Sequence, residues 1–271
     1  MIPRYIDSHA HLFFADYAHD LEVVLIRAKE AGVSAVIVPG TDLKSSREAL
    51  LLADRYENIF ACVGIHPHEA SKASRRDLAE IEKLCEHPKV VAIGEIGLDY
   101  HYDLSPRELQ RTFFTDQMEI AVQKKLPVVL HMRESIEDVF LLVEQTVHTN
   151  PKWKEGSKDP MRGVFHCFPG TADQAAHVQG LGFSVSYPGI VTFKKSESIN
   201  IIKEIGIGNI LLETDSPYMT PVPYRGKRNE PANIVLIGRK IAETLDIAEE
   251  EVARVTTENT IRLFGLHNNV N

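Results

Sequence analysis

The sequence predicts a (β/α)8 TIM barrel of the α/β class, on three observations. Short apolar strand-like runs alternate with amphipathic helix-like stretches along the chain, the signal of a parallel sheet with helical crossovers. There are eight such units, and 271 residues with a mass of 30.4 kDa fall in the range of one α/β barrel. Metal-binding residue types recur at the C-terminal ends of the predicted strands, the face on which barrels carry their chemistry. A doubly wound open sheet is the alternative, with the same alternation but no closure. No internal repeat, low-complexity tract or linker divides the chain, so residues 1–271 are expected to form one barrel.

The strands are expected at 5–9, 35–38, 60–64, 90–94, 127–131, 163–166, 182–186 and 210–213. Between them the apolar spacing predicts helices over 20–31, 43–56, 75–86, 106–124, 135–147, 172–179 and 196–206, and two more near 233–245 and 249–264. Gly32, Gly180 and Gly206 stand where helix C-caps belong, and Pro106 where a helix begins. The segment 149–159 is rich in Pro and Lys and holds the only tryptophan, Trp153; it reads as an exposed excursion before strand six.

Composition narrows the function classes. Hydrophobic residues make up 44% and charged residues 25%, an ordinary globular balance. No apolar run approaches the ~20 residues of a membrane helix, and the N-terminus lacks the stages of a signal peptide, so no membrane partner is expected. Three cysteines, Cys62, Cys85 and Cys167, imply no disulfide framework and fit a reducing, cytoplasmic location. A net charge of −8 argues against a protein that coats long nucleic acid with a broad basic surface.

Chemistry enters at Asp7-Ser8-His9-Ala10-His11, six residues into the chain. In a strand alternate side chains share a face, so Asp7, His9 and His11 are expected on one side. Two imidazoles so placed can grip one cation, with Asp7 behind them to fix the His9 tautomer. Glu95, His131, His166 and Asp215 each follow or close another predicted strand. A lone histidine at a strand end is usually a hydrogen-bonded core residue. Four imidazoles and two carboxylates on one rim are costly to bury without a cation. They also exceed the three protein ligands of a single catalytic zinc, so two metals are expected, with Glu95 bridging them. Such a pair sits ~3.5–4 Å apart, holds the attacking and leaving oxygens of a displacement and ionises a water near neutral pH. Asp215 can bind one ion and accept that proton; its competing role is a helix N-cap beside Ser216-Pro217. Zinc or manganese suits these ligands by softness.

These residues lie in motifs that run along nearly the whole chain: Asp7-Ser8-His9-Ala10-His11-Leu12, Val63-Gly64-Ile65-His66-Pro67-His68, and Ala92-Ile93-Gly94-Glu95-Ile96-Gly97-Leu98-Asp99-Tyr100. Leu130-His131-Met132-Arg133, Phe165-His166-Cys167-Phe168-Pro169-Gly170 and Leu212-Glu213-Thr214-Asp215-Ser216-Pro217-Tyr218 follow, then residues 221–231. In this order the chain resembles the TatD-type metal-dependent hydrolases of the amidohydrolase-like superfamily. The resemblance implies a (β/α)8 barrel with a dinuclear divalent-metal site, magnesium also being allowed, and deoxyribonuclease activity. It matches His9, His11, Glu95, His131, His166 and Asp215 to the family's metal-binding positions. Relatives in the wider superfamily bridge their metals with a carbamylated lysine; here Glu95 stands in that place and Lys89 lies on the wrong side of its strand, so carbamylation is not expected.

Further residues are expected to contact substrate. His66 and His68 alternate toward the same rim and can donate to a phosphate, although Pro67 between them also fits a simple turn. Asp99 is expected to orient a histidine or the substrate, and Glu213 to point inward and pair with Arg133 or a ligand histidine. Arg225, Lys227 and Arg228 form a short basic cluster suited to a nucleotide phosphate, although such clusters are usually solvated faces. Cys167 is expected to face away from His166 as a buried apolar residue, and His19, His87, His148, His177 and His267 to be surface residues. The reading that follows is a monomeric hydrolase of DNA phosphodiesters, an exonuclease on single-stranded or frayed ends. The same ligands serve a carbonyl centre, so an amide or ester hydrolase, for example on aminoacyl-tRNA, is the rival. A non-catalytic metal scaffold is the third.

Overall fold

Residues 4–155 and 161–266 are described by a computed structural model. The apolar runs form strands β1 (Tyr5–Asp7), β2 (Val33–Pro39), β3 (Ile59–Val63), β4 (Val90–Asp99), β5 (Val128–Arg133), β6 (Gly163–Phe165), β7 (Phe183–Tyr187) and β8 (Ile210–Leu212). Most are buried along their whole length, as expected of parallel strands covered on both faces. They pair in parallel in chain order, β1 through β8. Ser8 N donates to Leu212 O (3.1 Å), Asp215 N to His9 O (2.9 Å) and His11 N to Ser216 O (2.8 Å), joining β8 to β1 just past their ends. The fold is a TIM barrel whose β8–β1 seam is bridged at the C-terminal rim.

Helices α1 (Leu21–Glu30), α2 (Leu43–Arg55), α3 (Arg75–Leu84), α4 (Arg107–Lys124), α5 (Ile136–Thr149), α6 (Ala172–Gly180) and α7 (Ser198–Ile205) cross between strands, and α8 (Ile234–Leu245) and α9 (Glu249–Phe264) follow β8. Capping boxes start α2 (Asp42 with Ser45), α3 (Ser74 with Asp77) and α6 (Thr171 with Gln174). Pro106 is the N-cap of α4. Gly32 (φ 95°) and Gly206 (φ 70°) end α1 and α7 in conformations that favour glycine. Gly180 differs from expectation: it is the last residue of α6, and the positive φ falls two residues later at Gly182 (83°).

Apolar side chains make two layers. One lies between sheet and helices; the other fills the barrel with Ile6, Ile37, Phe60, Cys62, Val129 and Leu211. Leu263, Phe264 and Leu266 at the end of α9 pack onto that inner layer. Chemistry is left to the opposite end.

The described part of the segment after α5 is exposed at Pro151, Lys152 and Glu155, as expected, but Trp153 and Lys154 are buried. Trp153 is buried against Phe183 (6.0 Å between ring centroids), and its Nε1–H donates to Leu126 O at 3.2 Å. The indole gains cover from distant elements and finds a partner for its one polar atom, which local composition does not report. Residues 156–159 of that expectation, and His267, lie outside the described residues.

Candidate metal centre

Glu95 sits within β4, where the β4–β5 register shifts between Ile93 and Ile96. A bulge of this kind re-aims a side chain. Here it sends the carboxylate inward, almost fully buried. Gly97 (φ 144°) lets β4 approach β5 closely: a Cβ there would stand 1.9 Å from His131 O.

Each oxygen of Glu95 faces its own set of ligand atoms. Oε2 lies 3.4 Å from His9 Nε2 and 3.6 Å from His11 Nε2, which are 3.2 Å apart. Asp215 Oδ1 completes that side, 3.8 Å from His9 Nε2 and 3.7 Å from His11 Nε2. Oε1 lies 3.1 Å from His131 Nδ1, 3.2 Å from His166 Nε2 and 3.5 Å from His66 Nε2. Three groupings bring their donor atoms within 4.8 Å of one another: His9–His11–Asp215, His9–Glu95–His166 and His66–Glu95–His131.

These spacings fit cations. Metal–ligand bonds of about 2.0–2.2 Å in four- to six-coordinate geometry put neighbouring donors about 2.8–3.6 Å apart. Most separations around Glu95 fall in that range, and those to Asp215 lie just beyond it.

The electrostatics agree. Burial, helped by His9, pushes His11 down to about 3, and burial outweighs Glu95 to bring His66 down to about 4. Both rings are therefore neutral near pH 7, the form in which an imidazole can bind a cation. Burial alone would raise Glu95, but His66, His166 and His9 and the hydrogen bond from His131 hold it well below the usual range. Burial raises Asp215 to about 6, against the pull of His166 and His9. For His131 and His166 burial is outweighed by carboxylates: Asp99 and Glu95 raise the first, and Glu213 and Glu95 raise the second well above its ordinary value.

Several neighbours take roles that the local pattern did not give. β1 ends at Asp7, so strand alternation does not extend to His9. Asp7 does not fix the His9 tautomer. Its carboxylate accepts from the backbone N–H of His9 (3.3 Å) and Thr214 (2.9 Å) and from Thr214 Oγ1 (2.6 Å). Asp99 Oδ2 lies 2.9 Å from His68 Nε2 and 3.0 Å from His131 Nε2. Glu213 Oε1 is 3.4 Å from His166 Nδ1 and accepts from Cys167 N (2.7 Å), while Oε2 accepts from Ser186 Oγ (2.7 Å). Arg133 instead stacks on Tyr102. Cys167 does not follow alternation either, because β6 ends at Phe165 and Cys167 is left-handed (φ 47°). Burial, then the fields of Glu213, Asp215 and Glu95, hold its thiol protonated.

His66 is placed among the candidate ligands rather than out on the rim. The signal was available, since it closely follows β3 as His131 and His166 close or follow their strands. Within the basic cluster Arg228 is engaged by Asp20 (2.8 and 2.7 Å), while Arg225 lies over Phe193 (4.5 Å) and Lys227 over Tyr224 (5.6 Å). Lys89 donates to Glu57 O and Ile59 O, at the N-terminal end of β4. His177 pairs with Glu144 and His87 with Asp54 on the outer surface.

The model of the family described as TatD related DNase matches residues 6–265. The chain belongs to the TatD family. Among TatD relatives it is similar to an uncharacterized metal-dependent hydrolase, YabD, of Bacillus subtilis strain 168, at 40% identity over 262 residues, covering 96% of this chain and 99% of that protein. YcfH of Escherichia coli K12, also described as an uncharacterized metal-dependent hydrolase, is 32% identical, with 96% of each chain covered. The crystal structure of YjjV, a TatD homologue from Escherichia coli K12, superposes with a TM-score of 0.88 at 32% identity, covering 98% of this chain and 99% of that one. The TatD chain described here is thus a metal-dependent hydrolase by family, and none of its described helices is long and apolar enough to cross a membrane.

Proposed function

We propose that the chain hydrolyses phosphodiester bonds of DNA, as an exonuclease on single-stranded or frayed ends, using two divalent ions. The observation that carries the reading is the buried carboxylate of Glu95 set between two groups of ring nitrogens, on a rim that also carries Arg225 and Lys227. Glu95 Oε2 with His9, His11 and Asp215 would hold one ion. Oε1 with His131 and His166, and with His66 beside them, would hold the other. Zinc, manganese and magnesium are all compatible with this mixed set. Bound there, the ions supply Lewis acidity at the phosphoryl oxygens and lower the pKa of water toward neutrality.

The chain's own groups do the rest. The Asp215 carboxylate, beside His9 and His11, accepts a proton. Asp99 holds the rings of His131 and His68, and His68 presents its partly exposed ring to a phosphate oxygen. Phe13 and Phe14 cover the His11 side and limit water there. Arg225 and Lys227 supply positive charge for the phosphates beyond the bond that breaks; Arg228 contributes less, being paired with Asp20. Free cysteines fit a cytoplasmic protein, and a monomer carries every residue named.

Elemental analysis of purified protein, coupled to hydrolysis of a 3′-labelled single strand, a closed circular duplex and an aminoacyl ester, tests the reading. Cleavage of the single strand above both others supports it; hydrolysis of the ester alone overturns it.

A further inference from the structure

The rim carries rows of aromatic side chains that end in two tyrosines this hydrolysis does not require. They form two branches, one from each oxygen of Glu95. On the Oε2 side the His11 ring lies flat on Phe14, with centroids 4.9 Å and planes 7° apart, and Phe14 meets Tyr218 edge-on at 6.1 Å. On the Oε1 side His66 packs against His68 at 4.4 Å, and His68 against Tyr102 at 5.4 Å. Both branches end in solvent, with Tyr102 52% and Tyr218 55% exposed. The Arg133 guanidinium lies 4.5 Å over the Tyr102 ring.

Scattered exposed apolar residues need no explanation, but these are concentrated. Leu104 shares the loop after β4 with Tyr102, and Met219, Val222 and Tyr224 share the loop after β8 with Tyr218, all exposed. Each tyrosine thus ends a row of rings that starts at one oxygen of Glu95.

We propose that Tyr102 and Tyr218 are stacking platforms for unpaired DNA bases on either side of the reacting phosphodiester, with Arg133 holding the backbone phosphate beside Tyr102. The proposal rests on the phosphodiesterase reading above. A flat ring on each side of a reacting centre matches a polymer that carries one planar group per repeat. A peptide or a single aminoacyl ester has no obligatory ring on both sides. Base faces are hidden in a paired stack and free in a single strand, so the platforms select unpaired ends. The cation over Tyr102 suits the alternation of ring and phosphate along the strand.

The test measures binding and cleavage separately on the full-length, metal-loaded protein. Fluorescence anisotropy compares a labelled phosphorothioate oligothymidylate, which resists hydrolysis, with the same backbone bearing abasic sugars. The wild type binds the base-bearing strand about tenfold or more tightly, as expected from base–aromatic stacking. Tyr102→Leu and Tyr218→Leu each lose most of that preference, whereas Tyr102→Phe and Tyr218→Phe keep it. Equal binding of the two strands by the wild type, or a preference that survives both leucine variants, overturns the platforms. Cleavage of an ordinary single strand and of an aminoacyl ester is followed in parallel. Strand cleavage without a base preference removes the platforms alone; ester cleavage without strand cleavage removes the phosphodiesterase reading, and binding still decides the platforms.

Discussion

The two sides of Glu95 hold their histidines by different means. On the Oε2 side His9 and His11 come from one strand end and Asp215 from the adjacent loop, tied by Asp215 N to His9 O and His11 N to Ser216 O. The Nδ1 atoms of both histidines, like that of His166 on the other side, are buried without a hydrogen-bond partner among the described residues. On the Oε1 side His66, His131 and His166 come from three different strand ends, and a second carboxylate stands behind two of them, Asp99 at His131 and Glu213 at His166. One half is positioned by backbone, the other by side chains. The first half should therefore fail with the fold, and the second should be tunable without loss of fold.

Removing the shared group should erase the difference. Glu95→Ala should lower turnover on the order of a thousandfold, equivalent to ~4 kcal/mol of barrier. It should also leave protein that binds neither ion tightly, while the far-ultraviolet circular dichroism stays native. Retention of one equivalent of metal would show that one side binds alone.

Asp7→Ala attacks the backbone half. It leaves the buried backbone N–H groups of Thr214 and His9 without their acceptor, at ~1–3 kcal/mol for each unsatisfied group. Urea unfolding should show a loss on the order of 2–4 kcal/mol together with the loss of activity. An unchanged midpoint would mean that the chain positions His9 without Asp7.

Glu213→Gln and Asp99→Asn attack the side-chain half. Each should weaken one metal about 10- to 100-fold, as loss of a partner behind a ligating histidine does, and leave the other near wild-type affinity. Unfolding midpoints should move less than in Asp7→Ala. If both ions weaken equally, the two halves are not independent.

This contrast also shows what the sequence made legible. The strands could be read because they are continuous apolar runs, and His131 and His166 because they close or follow such runs. The role of Asp7 could not, since its partner Thr214 is 207 positions away and meets it only when β8 closes on β1. His66 looked like a rim donor because distance to Glu95 is set by the bulge in β4, which strand periodicity does not contain. Trp153 was misplaced for a related reason: its cover, Phe183 and Leu126, lies in other elements. Periodicity reports which way a residue points within an element, and it is silent once the element ends, as at Cys167.

The smallest expected effect lies farthest from Glu95, in the basic loop. Arg225 is exposed and rests on Phe193, whereas Arg228 already has a carboxylate partner in Asp20. An arginine free of a carboxylate can give its full charge to a phosphate, but an exposed pair is worth only ~0.2–1 kcal/mol. Arg225→Ala should thus raise KM for an oligonucleotide by only about fivefold or less. It should leave a small phosphodiester almost unaffected, because such a substrate does not reach the loop. Arg228→Ala should alter KM less than Arg225→Ala and show instead a slight loss of stability from the freed Asp20. Equal KM effects on long and short substrates would place Arg225 at the reacting phosphate itself, and would extend the side-chain-positioned half of the site outward to the loop after β8.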